Sequence, residues 1–482
     1  MSISQFPLQV AIASSAQAGY GPLDEVVAAP ELPSGQAATN AAALVRSLFH
    51  TWGLDRSRFG TAEWNPLAEL IPPGSRVVLK PNLVHHRNHS GQGLECLVTS
   101  AAIVDAVLAY ALLAHPREIT IADAPLQSCN FARLTRTTGL SRLVNAAVAR
   151  GCPVQLADLR RTVSPSGRIG GRQLTGLLPL DRFVLFDLGR ASLLESAANP
   201  GRFRVTGYDP RELSARHSAG RHQYLIAREI LDAGVVINLP KLKCHKKAGM
   251  TGALKNMIGI NGNKEYLPHH RKGSRQSGGD CYPEHSGPKR LIEELLDRMN
   301  GSQSAAGRLA LASAAHLGKW SLQIAGSDTN LEGSWHGNDT IWRTCLDLNR
   351  IALYGSAAGT LEAAPRRRVI HITDAVVAGE GDGPLAPTPI ASRFMTAGVC
   401  GPAVDWVNTI MMGFDPKRIP LVAHSFDTFT SPLTDFRPDD IVVLSGTGRL
   451  SARQLGAEPR RPFQAPPGWE GHCEARELLH AG

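Results

Sequence analysis

Short runs of apolar residues recur along the chain, and stretches with apolar residues at helical spacing separate them. Strands that are buried on both faces of a sheet have such continuous, often β-branched runs. The predicted strands are residues 8–14, 76–80, 118–123, 153–158, 182–189, 235–239, 366–375, 419–423 and 439–446. The predicted helices are residues 38–52, 101–113, 131–150, 227–233, 288–299, 304–324, 337–355 and 403–416. This alternation predicts an α/β fold with a doubly wound, mostly parallel sheet, which carries helical and irregular insertions and can divide into two lobes.

The order of these elements divides the chain into four predicted segments. Residues 1–160 form an N-terminal α/β lobe, and residues 161–225 form an irregular insert. Residues 226–450 form a second α/β lobe with a cationic site loop and a helical segment, and residues 451–482 form an extended tail.

The segment from Val235 to Arg275 concentrates the positive charge of the chain. A predicted strand at 235–239 ends at Pro240, and a cationic loop is expected directly after it. This segment contains nine lysines and arginines and a single carboxylate, Glu265, so it carries +8 of a total of +9. The charge therefore marks one local site rather than a basic surface spread over the molecule.

A Gly/Thr loop at 249–252 leads from this loop into a helix that carries Lys255 and Asn256. The N-terminus of a helix offers free backbone N–H groups and a positive dipole end, which favour an anion. The pattern predicts a phosphate or carboxylate ligand near Thr251 and Lys255. A solvated lysine surface with ordinary turn glycines remains the plainer alternative.

Polar residues also follow the predicted strands, at the edge where open parallel sheets bind ligands. Lys80 and Asn82 follow one strand, and Asp123 ends the next, as a ligand or a helix cap. The residues predicted to bind substrate are Lys80, Asn82, Asp123, Lys241, Lys243, Thr251, Lys255, Asn256 and Asp405. The residues predicted to move protons are His245, Asp374 and Glu380, although carboxylates at these positions could also pair with lysines or hold a metal.

A metal site is a further possibility in the stretch from Asp280 to His285, which follows the cationic segment. Asp, Cys, Glu and His occur there within six residues, and the candidate metal ligands are His245, Asp280 and His285. Neighbouring residues of one flexible turn rarely all face a single ion, so no metal or organic cofactor is assigned.

The composition is that of an ordinary globular protein, with 43% hydrophobic and 19% charged residues. Aromatic residues make up 6%, and the positive charge is local, so nucleic acid is an unlikely partner. The eight cysteines form no C-x-x-C pair, which fits a reduced cytoplasm. No apolar run approaches the roughly 18 residues of a membrane span, so no membrane partner is expected. The oligomeric state is left open.

Four motifs in order resemble the domain-of-unknown-function family 362 over about residues 75–425: KPNL, LPKLKCH with TGALKN, TDA with GEGDGP, and AVD with MGFDP. The resemblance implies a two-layered α/β protein of bacterial type and leaves the reaction open. Members often occur with genes for cell-surface polysaccharides or natural products, which implies a role in biosynthesis. The positions that match the family pattern are Lys80, Asn82, Lys241, Lys243, His245, Lys255, Asn256, Asp374 and Asp405.

Two departures from the family pattern matter for function. Many members append a cysteine-rich, ferredoxin-like module, and this chain has none, so a role in electron transfer does not carry over. Cys244 stands where the family more often has threonine. The strand-end pattern is also distantly similar to the lactate racemase family, which uses a nickel-bearing cofactor.

Three functions follow as hypotheses. The first is an enzyme acting on a small anionic metabolite, phosphorylated or carboxylated, in cell-surface polysaccharide or natural-product biosynthesis. The second is a metal- or cofactor-dependent redox or isomerising enzyme that uses His245, His285, Cys244 and Cys281. The third is a non-catalytic protein that binds a polyanion or nucleic acid, which steep salt dependence of binding would favour.

Overall fold

The computed structural model describes residues 8–21, 39–164, 174–197, 201–327 and 330–475. Its strands are β1 (Gln9–Ser14), β2 (Arg76–Pro81), β3 (Glu118–Asp123), β4 (Val154–Asp158), β5 (Thr162–Val163), β6 (Thr175–Gly176), β7 (Phe183–Asp187), β8 (Phe203–Arg204), β9 (His217–Ser218), β10 (Arg221–Ala227), β11 (Val235–Leu239), β12 (Lys241–His245), β13 (Gly249–Thr251), β14 (His270–Arg271), β15 (Arg368–Glu380), β16 (Thr388–Ile390), β17 (Phe394–Gly398), β18 (Val442–Ser445) and β19 (Gly448–Ser451).

The α-helices in the same residues are α1 (Asn40–Trp52), α2 (Ala101–Leu113), α3 (Phe131–Thr138), α4 (Leu140–Ala149), α5 (Pro210–Arg216), α6 (Arg228–Asp232), α7 (Ala253–Asn256), α8 (Gly287–Gly301), α9 (Ala305–Ile324), α10 (Ile341–Tyr354), α11 (Gly401–Met411), α12 (Pro420–Ala423) and α13 (Ala452–Gly456). None of these described helices is both long enough and apolar enough to cross a membrane.

One large sheet organises the molecule, and the predicted α/β class with a mostly parallel sheet is confirmed. Among the described strands the order is β19-β18-β1-β17-β15-β11-β2-β3-β4, and β12, β13 and β16 attach beside β15. The five strands from β15 to β4 are parallel, whereas β17 runs antiparallel to both of its neighbours. Strands from residues 1–160 and from residues 226–450 therefore share this sheet, and the division into lobes stays a prediction.

Apolar side chains cover both faces of the sheet. Val77 and Leu79 of β2 pack into a core cluster with residues of α1 and α2. Val78 points to the other face and packs with residues of α6 and α10. Because successive side chains of a strand alternate between faces, a strand buried on both faces is expected to be mainly apolar. This is the reason that the uninterrupted apolar runs of the sequence became the central strands.

Two local predictions were wrong. The expected cationic loop after Pro240 is strand β12, which pairs in parallel with β15 and antiparallel with β13. Its lysines alternate with Leu242 and Cys244, which is the period of a strand. Residues 419–423 were predicted as a strand, but Pro420–Ala423 forms helix α12. Proline is well suited to the first turn of a helix, where its missing N–H costs nothing.

The C-terminal segment packs against the motif-bearing elements. Trp469 is only 1% exposed, and its Nε1 donates to the carbonyl oxygen of Lys246 at 2.8 Å. A Cβ on Gly249 would lie 3.1 Å from the Trp469 ring, so these two residues are in close contact. The last part of the predicted tail, residues 476–482, lies outside the described residues, as do residues 165–173 and 198–200 of the predicted insert.

Candidate functional site

A cavity of about 520 Å³ lies at the carboxyl ends of β2 and β3. Its walls come from the residues after these strands, from β12, β13 and α7, and from the segment between α7 and β14. The carboxyl edge of parallel strands is where open α/β sheets commonly bind ligands. Of the residues predicted from sequence, those that line the cavity are Asn82, Asp123, Lys243, His245, Thr251, Lys255 and Asn256.

Two predicted lysines form buried ion pairs. Lys80 Nζ lies 2.8 Å from Asp123 Oδ1, and Lys241 Nζ lies 2.6 Å from Asp374 Oδ2. Tyr20 completes the second pair, because its hydroxyl donates to Asp374 Oδ1 at 2.8 Å and accepts from Lys241 Nζ at 2.6 Å. Lys80, Lys241 and Asp374 do not line the cavity. Within each pair the two charges neutralise each other, and the pairs hold strands together beneath the site.

Four other buried lysines line the cavity without a carboxylate partner. They are Lys243, Lys247, Lys255 and Lys264, and they are between 1% and 9% exposed. In the part of the chain that the structure describes, none of them forms a salt bridge. Carboxylates nearby offset their charge only in part: Glu332 acts on Lys247, and Asp123 acts on Lys243 and Lys264. Burying a charge that is not fully offset is unfavourable, which favours the loss of a proton or the binding of an anion.

Neutral oxygens hold three of these four ammonium groups. Lys243 Nζ donates to Asn82 Oδ1 at 2.7 Å and to the carbonyl oxygen of Leu97. Lys264 Nζ donates to the carbonyl oxygen of Ala124 at 2.8 Å. Burial, assisted by neighbouring lysines, lowers the pKa of both Lys243 and Lys264 to about 7.

Lys247 Nζ, the third, donates to Thr206 Oγ1 at 2.9 Å and to the carbonyl oxygen of Glu332. Burial lowers its pKa as well.

Lys255 and Thr251 both line the cavity. Burial also lowers the pKa of Lys255, and its Nζ makes no hydrogen bond to any described residue. The buried Thr251 Oγ1 likewise has no hydrogen-bond partner among the described residues. An unsatisfied polar group inside a protein is costly, so the ammonium group of Lys255 in this cavity favours a bound anion.

A chain of amide side chains fixes the floor of the site. Asn82 Nδ2 donates to Asn256 Oδ1 at 2.8 Å, and Asn256 Nδ2 donates to Asn238 Oδ1 at 2.7 Å. Asn82 also accepts from Lys243, so the lysine, β2 and α7 are held in one network. Their amide groups are engaged within this network and therefore position the lysines around the cavity.

The N-terminus of α7 does not hold a ligand as predicted. Asp405 occupies it: Oδ1 accepts from Ala253 N at 2.7 Å and Oδ2 accepts from Leu254 N at 2.8 Å. A Cβ on Gly252 would lie 2.1 Å from Asp405 Oδ1, so glycine is required for this approach. Burial raises the pKa of Asp405 to about 6. The anion expected at this helix end is thus a side chain of the protein itself.

The remaining predicted residues lie elsewhere. Glu380 accepts from Arg461 Nη2 at 3.0 Å and from Gln464 N at 2.9 Å, and so holds the C-terminal segment. Asp280 accepts from Thr340 Oγ1 at 2.5 Å, and His285 is exposed. The described residues contain no group of three or more His, Cys, Asp or Glu side chains that could hold a metal ion.

Sequence reasoning missed His269 and did not single out Lys247 and Lys264, all of which line the cavity. The two lysines entered only as part of a charge count. His269 belongs to a Pro-His-His stretch inside the same cationic segment, and this proximity was the available signal. Its contribution depends on how the segment between α7 and β14 folds back over the strand ends.

Comparisons with known proteins support the family resemblance and leave function open. The family model of the domain of unknown function DUF362 matches residues 189–409, which include the segment from β12 to α7. The search of curated proteins found no match. Neither result bears on similarity to lactate racemase, which stays a prediction.

A crystal structure of a Thermotoga maritima protein from structural genomics also shows some similarity. It has 10% sequence identity and a TM-score of 0.29, and the alignment covers 70% of this chain. The chain spans about half of that protein, since 54% of it is covered. A likeness of this size carries no argument about fold or function.

Proposed function

We propose that this protein, in which residues 189–409 match the DUF362 family model, is an enzyme that acts on a small anionic metabolite. The metabolite carries a phosphate or carboxylate group. The observation that carries the proposal is a set of four buried lysines around one cavity, none of which forms a salt bridge with a described carboxylate: Lys243, Lys247, Lys255 and Lys264. Biosynthesis of cell-surface polysaccharides or natural products is the setting that we propose for this activity.

The size and donors of the cavity support a small ligand. Small-molecule sites commonly have volumes of roughly 300–1,000 Å³, and this cavity measures about 520 Å³. Lys255 lines the cavity and its Nζ makes no hydrogen bond to a described residue, so this ammonium group can donate to an anionic oxygen. A charge-assisted hydrogen bond in a site that excludes water is stronger than the same bond in solution. An extended nucleic acid would need an open groove, so a compact anion fits this arrangement better.

A thermal-shift screen of phosphorylated and carboxylated metabolites, with inorganic phosphate as the simplest probe, tests the proposal. We expect phosphate to raise the melting temperature of the wild-type protein more than sodium chloride of equal ionic strength does. Lys255→Met should lose this stabilisation, because it removes the open ammonium group while it keeps the length of the side chain. Lys417→Met is the matched control, since Lys417 is exposed and lies outside the cavity.

Equal stabilisation of the wild type and Lys255→Met by phosphate would contradict the proposal. Tight binding of any DNA duplex with a steep salt dependence would favour a polyanion-binding protein instead.

A further inference from the structure

Two histidines of the cavity are held in opposite tautomers. His245 Nδ1 lies 3.1 Å from Lys247 N and 3.3 Å from Ala248 N, and both of these backbone groups can only donate. A ring nitrogen that accepts an N–H carries no hydrogen itself. The neutral His245 ring therefore has its hydrogen on Nε2.

His269 has the reverse arrangement. Its Nδ1 lies 2.6 Å from the carbonyl oxygen of Leu267, which can only accept, so Nδ1 carries the hydrogen. The lone pair of the neutral His269 ring is then on Nε2. Neither Nε2 atom bonds to another residue within the described ranges. One cavity thus contains a free imidazole donor and a free imidazole acceptor.

The surroundings keep both rings neutral. Burial is the main cause that lowers the pKa of His245 and of His269 well below the ordinary value. The charges of Lys255 and Lys247 act on both rings in the same direction, Lys243 adds to the effect on His245, and Lys264 adds to the effect on His269. A neutral pair of opposite tautomers provides one hydrogen-bond donor and one base at neutral pH.

We infer that His269 Nε2 accepts a proton from the bound metabolite while His245 Nε2–H donates a hydrogen bond to the oxygen where negative charge develops. The inference rests on the proposed function and names its reaction class: proton transfer at a carbon beside a carbonyl or carboxylate group. The C–H bond breaks, its electron pair forms a C=C bond, and the carbonyl electron pair moves onto oxygen. The proton forms an N–H bond on His269 and then returns to the same carbon or to a neighbouring one. No oxidant or reductant is needed.

The anion that the lysines bind would also tune the base. In the free cavity the lysines disfavour a positive charge on His269, which makes it a weak base. A bound anion offsets their charge, and an opposite charge within about 4–6 Å commonly raises a histidine pKa by roughly one unit or more. The base would therefore become effective only when the metabolite is present. Lys255, which acts on both rings, links binding to proton transfer.

Modification of the full-length protein by diethyl pyrocarbonate tests the inference, because this reagent acylates a histidine at a ring nitrogen whose lone pair is free. At a pH near 6, slightly below the ordinary histidine pKa, we expect His269 to be modified and His245 to be spared. Inorganic phosphate should slow modification of His269 severalfold. The exposed His285 is the internal control and should react equally with and without phosphate. Peptide mass spectrometry reads all three sites.

The outcomes separate the inference from the proposed function. Modification of His245 instead of His269, in a protein that phosphate stabilises, would overturn the inference and leave the anion site standing. Modification of His269 without any protection or stabilisation by phosphate would overturn the proposed function, and the inference with it. His269→Gln should keep the stabilisation by phosphate, and its loss would show that His269 serves binding rather than proton transfer.

Discussion

Replacing Lys264 by methionine should make the protein more stable, although the side chain is buried and makes a hydrogen bond. The lysine lies in the cavity wall, and among the described residues its ammonium group bonds only to the carbonyl oxygen of Ala124. Burial and the charges of Lys80 and Lys255 lower its pKa from 10.5 to about 7. The folded state therefore holds this proton less tightly than the unfolded chain does, so burying the charged amine at neutral pH lowers the free energy of unfolding.

The magnitude follows from this difference in pKa. Each pKa unit corresponds to about 1.4 kcal/mol, so a fall from 10.5 to about 7 costs at most about 4 kcal/mol at pH 7. Removing the charge relieves this cost, but losing the hydrogen bond to Ala124 offsets roughly 1 kcal/mol of the stability gained. We expect Lys264→Met to raise the free energy of unfolding by about 1–3 kcal/mol at pH 7. Because the unfolded state binds more protons between pH 7 and 10.5, the wild type should gain stability as the pH rises through this window, and the variant should gain less.

Urea denaturation at pH 7 and at pH 9 measures both effects. Lys80→Met is the matched control, because Lys80 is equally buried but is paired with Asp123. Removing one partner of a buried ion pair leaves the other charge uncompensated and commonly costs roughly 3–5 kcal/mol. The two variants should therefore change stability in opposite directions. If Lys264→Met destabilises the protein as much as Lys80→Met does, the lysines of the cavity are not uncompensated and the reasoning fails.

Three further predictions concern the supports of the site. Gly259→Ala should destabilise the protein by about 3 kcal/mol, because a Cβ there would lie 2.0 Å from Asp123 Oδ1. Gly287→Ala is the control in the same denaturation assay, since a Cβ at that position would have no atom within 4 Å. Trp469→Ala should cost about 3–5 kcal/mol by the same measurement, since the ring is buried, and an unchanged midpoint would contradict the packing described for the C-terminal segment. Asp405→Ala should weaken phosphate binding in a calorimetric titration, because it removes the cap that anchors the helix carrying Lys255. Unaltered affinity would show that this cap does not position the lysine.

Much of the fold could be predicted from the sequence because its strongest signals are long and local. The strand at Val235–Leu239 is apolar except for Asn238, and it lies in the middle of the sheet with both faces covered. Strand β12 was missed because its alternation of lysine with apolar residues is also what a solvated loop can show. Its pairing with β13, and with β15 more than a hundred residues further along the chain, makes this segment a strand.

The candidate site could be predicted only in part, since charge alone does not tell which lysines have partners. Lys241 and Lys243 stand two residues apart and look equivalent in the sequence. Lys241 meets Asp374 and Tyr20, whereas Lys243 meets neutral oxygens and faces the cavity. Distant parts of the chain supply these partners, so the distinction needs the tertiary structure. The same holds for Asp405, which fills a helix end about 150 residues earlier in the sequence.

Proton uptake on anion binding distinguishes a cavity that receives an anion from one whose lysines stay neutral. Lysines around the cavity, with pKa values of about 7 for Lys243 and Lys264, should take up protons when a small anion binds. Sulfate does not titrate near neutral pH, so calorimetric titration with sulfate at pH 8 in buffers of different ionisation enthalpy reports protons taken up by the protein alone. The account predicts binding with net proton uptake, which Lys264→Met reduces. Sulfate binding without proton uptake, or no binding to the wild type at all, would contradict it.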